Sequence, residues 1–93
     1  MRAALKVDSL ALSVVIPALN EGPNLYRILP LLRESLASIS DSWEVLVIDG
    51  ESQDGTPAIV AQMGEPFRYV KEDKPGYGQA ILRGVSEARG TYI

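Results

Sequence analysis

The sequence contains no cysteine and no histidine. Without cysteine there is no disulfide framework and no thiolate metal site. Without histidine, imidazole acid–base relays and imidazole metal ligation are excluded. Aromatic residues are sparse: one Trp, one Phe and four Tyr, too scattered to build a stacking platform. Cations are outnumbered, nine Lys and Arg against twelve Asp and Glu, and the net charge of −3 disfavours a nucleic-acid partner, which draws a basic face. No apolar run reaches the roughly 18 residues that a membrane-spanning helix needs. The first ten residues carry two cations and an apolar stretch broken by Lys6 and Asp8. They read as an N-terminal leader rather than a signal peptide, and a cytoplasmic protein is the expectation.

What is present is the composition of one small globular domain: 93 residues, 46% hydrophobic and 23% charged. Residues 11–93 carry an alternating pattern. Ala11 to Pro17 is a short apolar, β-branched run, which predicts a buried strand. Leu25, Ile28, Leu29, Leu32, Leu36 and Ile39 recur at helical spacing, with a kink expected at Pro30. Trp43 to Ile48 predicts a second strand, and Thr56-Pro57 a helix start, with threonine as cap. Gly64 suits the end of that helix. Phe67 to Lys71 predicts a third strand. Gln79 to Arg89 predicts a third helix with Ile81, Val85 and Ala88 inward and Gly90 as its stop, and Thr91 to Ile93 begins a fourth strand. Strands alternating with helices imply an α/β, Rossmann-like, mostly parallel sheet of order 3-2-1-4 with helices on both faces. Ligands of such sheets bind at the carboxyl ends of the strands. That selects three loops: Ala18 to Asn24, Asp49 to Asp54 and Glu72 to Gly78.

Neither the P-loop pattern nor a dinucleotide fingerprint after the first strand is present. Gly76-Tyr77-Gly78 reads either as a tight turn into a helix or as a backbone whose N–H groups face a phosphate. Glu21 reads as a first-turn acid favoured by the helix dipole or as a ligand for ribose or base. Asp49 reads as a loop-ordering turn residue or as the same kind of acceptor. Lys74 is a solvated loop lysine or a phosphate neighbour. Asp54-Gly55-Thr56 reads as turn plus cap, and Arg83 and Arg89 as a solvated helix face.

Taken in order, three segments resemble the family-two glycosyltransferases of GT-A fold. They are Ser13-Val14-Val15-Ile16-Pro17-Ala18-Leu19-Asn20-Glu21 with Asn24-Leu25, then Glu44 through Asp49 to Thr56, then Gly76-Tyr77-Gly78-Gln79-Ala80 with Ala88-Arg89-Gly90 and Thr91-Tyr92-Ile93. The resemblance runs from Ser13 to the end. It implies sugar transfer from a UDP- or GDP-sugar with inversion at the anomeric carbon. By the same resemblance Pro17, Ala18, Leu19 and Glu21 would line the base and ribose, and Asp49 would bond one of them. Lys74, Gly76 and Gln79 would border the base or diphosphate. Two positions depart from the family's habit: Gly50 stands where a second aspartate is common, and Leu19 where an aromatic is common.

The family's divalent cation, Mg or Mn, is held by an Asp-x-Asp motif after the fourth strand, expected beyond Ile93, so no metal or catalytic residue is expected within the chain. The chain therefore reads as the nucleotide-sugar-binding half of a truncated GT-A domain, inactive alone. Loop three, Lys74-Pro75-Gly76-Tyr77-Gly78, looks most like the subgroup that loads sugars onto polyisoprenyl phosphates, which would place the full-length protein at a membrane surface. The rival reading is a non-catalytic nucleotide-binding or interaction fragment of the same fold. A homodimer through the exposed edge of the fourth strand is a further expectation.

Overall fold

A computed structural model describes residues 10–18, 22–50 and 55–93. Their elements run β1 (Leu10–Ala18), α1 (Gly22–Ile39), β2 (Trp43–Asp49), α2 (Thr56–Met63), β3 (Phe67–Lys71), α3 (Tyr77–Glu87) and β4 (Gly90–Tyr92). The sheet order is β3-β2-β1-β4, with every neighbouring pair parallel. All seven residues of β2 are buried, as an interior parallel strand covered on both faces requires.

Strand alternation sorts the side chains onto two faces. On one face Ala18, Val45, Val47 and Phe67 pack with Leu25, Leu29 and Leu36 of α1 and Val60 of α2. Trp43 meets Phe67 edge-on at 5.6 Å, and the Arg33 guanidinium lies 5.0 Å from the Phe67 ring centroid. Arg33 also donates to the Met63 carbonyl, tying α1 to the end of α2. On the opposite face Leu46, Ile48 and Val70 pack with Ala80 of α3 and with Val15. Helices thus cover both faces of a parallel sheet.

Pro30 lies inside α1, as expected, and the helix continues to Ile39. Several other local expectations are corrected. The buried stripe of α1 is Leu25, Leu29 and Leu36, whereas Ile28 and Ile39, on its flank, are exposed. Gly55, with φ 83°, occupies the cap of α2 and makes no side-chain cap bond; Thr56 is the first helical residue and is buried. Gly64 does end α2.

The largest correction concerns α3, which starts at Tyr77 and has Ala88 as its C-cap. Its buried residues are Ala80 and Gly84, while Ile81 and Val85 are 40% and 46% exposed. The reason is close approach. A Cβ on Gly84 would stand 2.2 Å from Val15 Cγ1, so the helix lies against β1 at a distance that only its smallest side chains permit. Gly90, taken for a helix stop, is the first residue of β4 and pairs with Leu10.

A candidate nucleotide site at the carboxyl edge of the sheet

The carboxyl ends of β1 and β2 lie side by side, with Ala18 opposite Asp49. Alternation sends the Asp49 side chain to the face of Val45 and Val47. There its carboxylate accepts a 2.6 Å hydrogen bond from the Tyr69 hydroxyl. Asp49 is 1% exposed. The Asp49 carbonyl accepts a bond from the Glu72 N–H at 2.9 Å, so the start of loop three is fixed to the end of β2.

Loop three is organised by Glu72. One carboxylate oxygen accepts the Lys74 N–H at 2.8 Å, and the other faces Arg83 of α3 at 3.4 Å. The Lys74 N–H holds the Glu72 carboxyl below its ordinary value, with Arg83 adding to the effect against some opposition from burial. Arg83 also pairs with Glu87 one helical turn on, at 3.2 Å. It is therefore an ion-paired brace between loop and helix, where a solvated residue was expected. Gly76, with φ 99° and ψ 149°, precedes α3 in a conformation that disfavours any side chain, and it leaves the first N–H groups of the helix without a side-chain cap.

Gly50, Glu72, Asp73, Lys74, Pro75, Gly76 and Ala80 line a cleft of about 60 Å³. That is far smaller than the roughly 300–1,000 Å³ of a small-molecule site, so it can hold only one group of a larger ligand. Its charged side chains are Asp73, Lys74 and Glu72, the last already engaged by the Lys74 N–H and by Arg83.

Of the expected site residues, Lys74 and Gly76 meet in this cleft. Pro17, Ala18 and Asp49 end the neighbouring strands β1 and β2, but none of them lines the cleft, and Gln79 is exposed on the first turn of α3. Leu19 and Glu21 lie outside the described residues. Tyr69 and Glu72 were missed. The available signal was register: Tyr69 stands two residues before Lys71, the partner of Asp49 on β3, so both side chains share a face.

A second polar cluster occupies the opposite edge of the sheet. Glu44 is 4% exposed. Its carboxylate accepts the Ser13 hydroxyl at 2.6 Å, the Arg89 N–H at 2.7 Å and Arg68 at 3.3 Å. Ser13 in turn accepts the Gly90 N–H at 2.8 Å. Burial pushes the Glu44 carboxyl up, but the Ser13 and Arg89 hydrogen bonds and the Arg68 charge outweigh it and hold the carboxyl below its ordinary value. Arg89 lies beyond the helix, and its backbone fastens β4 to β1 and β2. This cluster lies at the amino ends of the strands, away from the ligand edge, and its role is architectural.

The parallel sheet with helices on both faces is a Rossmann-like α/β fold, a class whose ligands sit at the carboxyl edge of the strands. Residues 13–93 match Glycosyl transferase family 2, and the chain belongs to that family. It is 32% identical to dolichyl-phosphate beta-glucosyltransferase of Dictyostelium discoideum, over 92% of this chain and 30% of that protein. It is 37% identical to the low-salt glycan biosynthesis hexosyltransferase of Haloferax volcanii, over 88% of this chain and 19% of that protein. Its fold matches glucosyl-3-phosphoglycerate synthase of Mycobacterium tuberculosis, in a crystal structure with Mn2+, UDP and glucosyl-3-phosphoglycerate. The TM-score is 0.68 at 27% identity, covering 90% of this chain and 33% of the synthase. The chain thus spans a third or less of the length of these relatives.

Among the described residues there is no group of three or more His, Cys, Asp or Glu that could hold a metal ion. No described helix is long and apolar enough to cross a membrane.

Proposed function

We propose that the chain supplies the nucleoside-binding part of an inverting glycosyltransferase that uses a UDP- or GDP-sugar. The observation that carries this reading is the position of Asp49. It is a buried carboxylate at the carboxyl end of β2, beside the end of β1 and joined through its carbonyl to loop three. A carboxylate in such a place accepts hydrogen bonds from ribose hydroxyls or a base N–H, and low surrounding polarity strengthens them. Pro17, Ala18, Leu19 and Glu21 belong to the same pocket in this proposal, with Lys74, Gly76 and Gln79 along the base or diphosphate. The UDP in the synthase complex supports UDP over GDP. The divalent cation of the full enzyme, Mg or Mn, takes its ligands from outside the described residues.

For the acceptor we propose a polyisoprenyl phosphate, and with it a site of action at the membrane surface. The support is loop three and the likeness to dolichyl-phosphate beta-glucosyltransferase. Glucosyl transfer to phosphoglycerate is the competing outcome, suggested by the synthase complex. We propose no homodimer through β4, for which the comparisons offer no support.

Titration of the chain with UDP and with GDP, followed by amide NMR shifts, tests the nucleoside reading. Shifts are expected to gather at Asp49–Gly50 and Glu72–Gln79. Asp49→Ala is expected to weaken binding about two- to tenfold, the loss of a hydrogen bond of roughly 0.5–1.5 kcal/mol, and to lower the melting temperature without unfolding the domain, because the Tyr69 hydroxyl loses this acceptor. Shifts confined to other residues, or a collapsed melting temperature with unchanged residual affinity, would make Asp49 a structural residue only.

A further inference from the structure

We infer that Glu72 is a positioning residue for the nucleotide: its carboxylate sets the course of loop three along the cleft, and Arg83 holds that carboxylate from α3. The inference rests on the reading that loop three borders the nucleotide, and it adds Glu72 and Arg83, to which that reading gives no part.

Loop three is anchored at both ends and lightly held between them. At its start the Glu72 N–H donates to the Asp49 carbonyl at 2.9 Å, and at its end the Gly76 carbonyl accepts the Ala80 N–H of α3 at 3.2 Å. Among the described residues no backbone–backbone hydrogen bond involves Asp73, Lys74 or Pro75. Two polar contacts within the described residues hold these three. One is the Lys71–Asp73 ion pair, 3.9 Å long and exposed on both sides, a kind that contributes little. The other is the 2.8 Å bond from the Lys74 N–H to Glu72 Oε2. Asp73, Lys74 and Pro75 all line the cleft, so the shape of that wall depends chiefly on one carboxylate.

Glu72 is placed for the task. It lines the same cleft, yet its side chain is only 12% exposed. Oε1 faces Arg83 Nη1 at 3.4 Å, while Arg83 Nε lies 3.2 Å from Glu87 one helical turn on. The carboxylate is thus steadied by the helix on one oxygen and receives the loop on the other. A hydrogen bond to an ionised oxygen is roughly twice as strong as one between neutral groups. A loop ordered in this way before the ligand arrives does not have to be ordered by it, and such preorganisation raises affinity.

UDP and GDP affinities of the 93-residue chain would be measured by NMR titration for the unsubstituted protein, Glu72→Ala, Glu72→Gln, Arg83→Leu and the Glu72→Ala/Arg83→Leu double substitution. Glu72→Ala removes the acceptor of the Lys74 N–H and is expected to weaken binding about three- to tenfold. Glu72→Gln keeps a carbonyl oxygen there and is expected to restore part of the lost affinity. Arg83→Leu is expected to cost about twofold, and nothing further in the Glu72→Ala background, where the carboxylate it steadies is gone. In the same spectra the Lys74 amide proton reports on the bond itself, and it is expected to move upfield in Glu72→Ala. Thermal melts run alongside, since a glutamate that served only the fold would lower the melting temperature and leave the affinity of the folded protein unchanged.

Unchanged affinity in Glu72→Ala overturns the role of Glu72 and leaves the nucleoside reading intact. An unmoved Lys74 amide in that variant also overturns it. Equal losses from Glu72→Ala and Glu72→Gln do the same, since the charge would then act on the ligand and not on the loop. Should Glu72→Ala fail to fold, unchanged affinity in both Glu72→Gln and Arg83→Leu overturns the inference. No binding of either nucleotide to the unsubstituted chain removes the nucleoside reading itself, and this inference with it.

Discussion

The two faces of the sheet are held by different physics. On the face of α1 and α2, large side chains interlock: Leu25, Leu29, Leu36, Trp43, Val60 and Phe67 form one buried cluster. On the face of α3 the contact is thin. Ala80 and Gly84 bring the helix backbone against the strands, and polar side chains do much of the fastening. Arg68 joins Glu44 and the Glu87 carbonyl, and Arg83 joins Glu72 and Glu87. The larger apolar residues of α3 (Ile81, Leu82 and Val85) remain exposed. One face therefore draws its stability from volume buried. The other depends on close fit and charge.

The comparison breaks most visibly at Leu29, which has no exposed surface. Leu29→Ala is expected to cost about 2–5 kcal/mol, from lost burial and the cavity left behind. Domains have only about 5–15 kcal/mol in all, so the urea midpoint should fall by a large fraction. A loss below about 1 kcal/mol would mean that this face is no more tightly packed than the other.

On the α3 face, adding one methyl should act where removing one would not. Gly84→Ala places a Cβ against Val15 at a distance no real contact shows, and about 1–3 kcal/mol of overpacking is expected. Trimming the partner sharpens the point. Val15→Ala combined with Gly84→Ala should recover part of the loss, and strict additivity in denaturation would disprove the close fit.

Glu44 tests the polar half of the contrast. Glu44→Gln keeps the shape and removes the charge beside Arg68, with a loss of about 1–3 kcal/mol expected near neutral pH. Its pH dependence has a definite sign. The folded carboxyl is held below its ordinary value, so as pH falls the unfolded chain takes up the proton first. The contribution is complete above the unfolded value and disappears as pH drops through the folded one. Acid denaturation of Glu44→Gln should accordingly be shallower below about pH 5 than that of the unsubstituted chain. Parallel profiles would show that Glu44 carries no such linkage.

The smallest effect is expected at Leu82, which is 63% exposed. Leu82→Ser should change stability by no more than about 0.5 kcal/mol, although the side chain is as apolar as Leu29. A loss comparable to Leu29→Ala would show that the outer face of α3 is covered in solution.

Where these substitutions fall also marks how far the sequence could be read. The order of strands and helices was legible because each segment carries its own period and its own punctuation. β-branched runs stand at β1 and β2, a leucine stripe marks α1, and Gly64 ends α2. The loops at the carboxyl edge followed from that order, and with them Asp49, Lys74 and Gly76. The inward face of α3 was misjudged because the size of Ile81 and Val85 was taken as the guide, whereas proximity to Val15 selected Ala80 and Gly84.

By itself, the sequence determined the alternation of elements and membership of Glycosyl transferase family 2. These rest on local patterns and short motifs, which need no knowledge of what lies opposite. Only the tertiary structure decided that Tyr69 meets Asp49, 20 residues away, that Glu44 gathers Ser13 and Arg89 across 31 and 45 residues, and that Gly90 bonds Ser13 across 77. Such partners are chosen by strand register and by the depth at which a helix settles on the sheet. Both are set by packing among distant segments, and neither leaves a periodic trace along the chain.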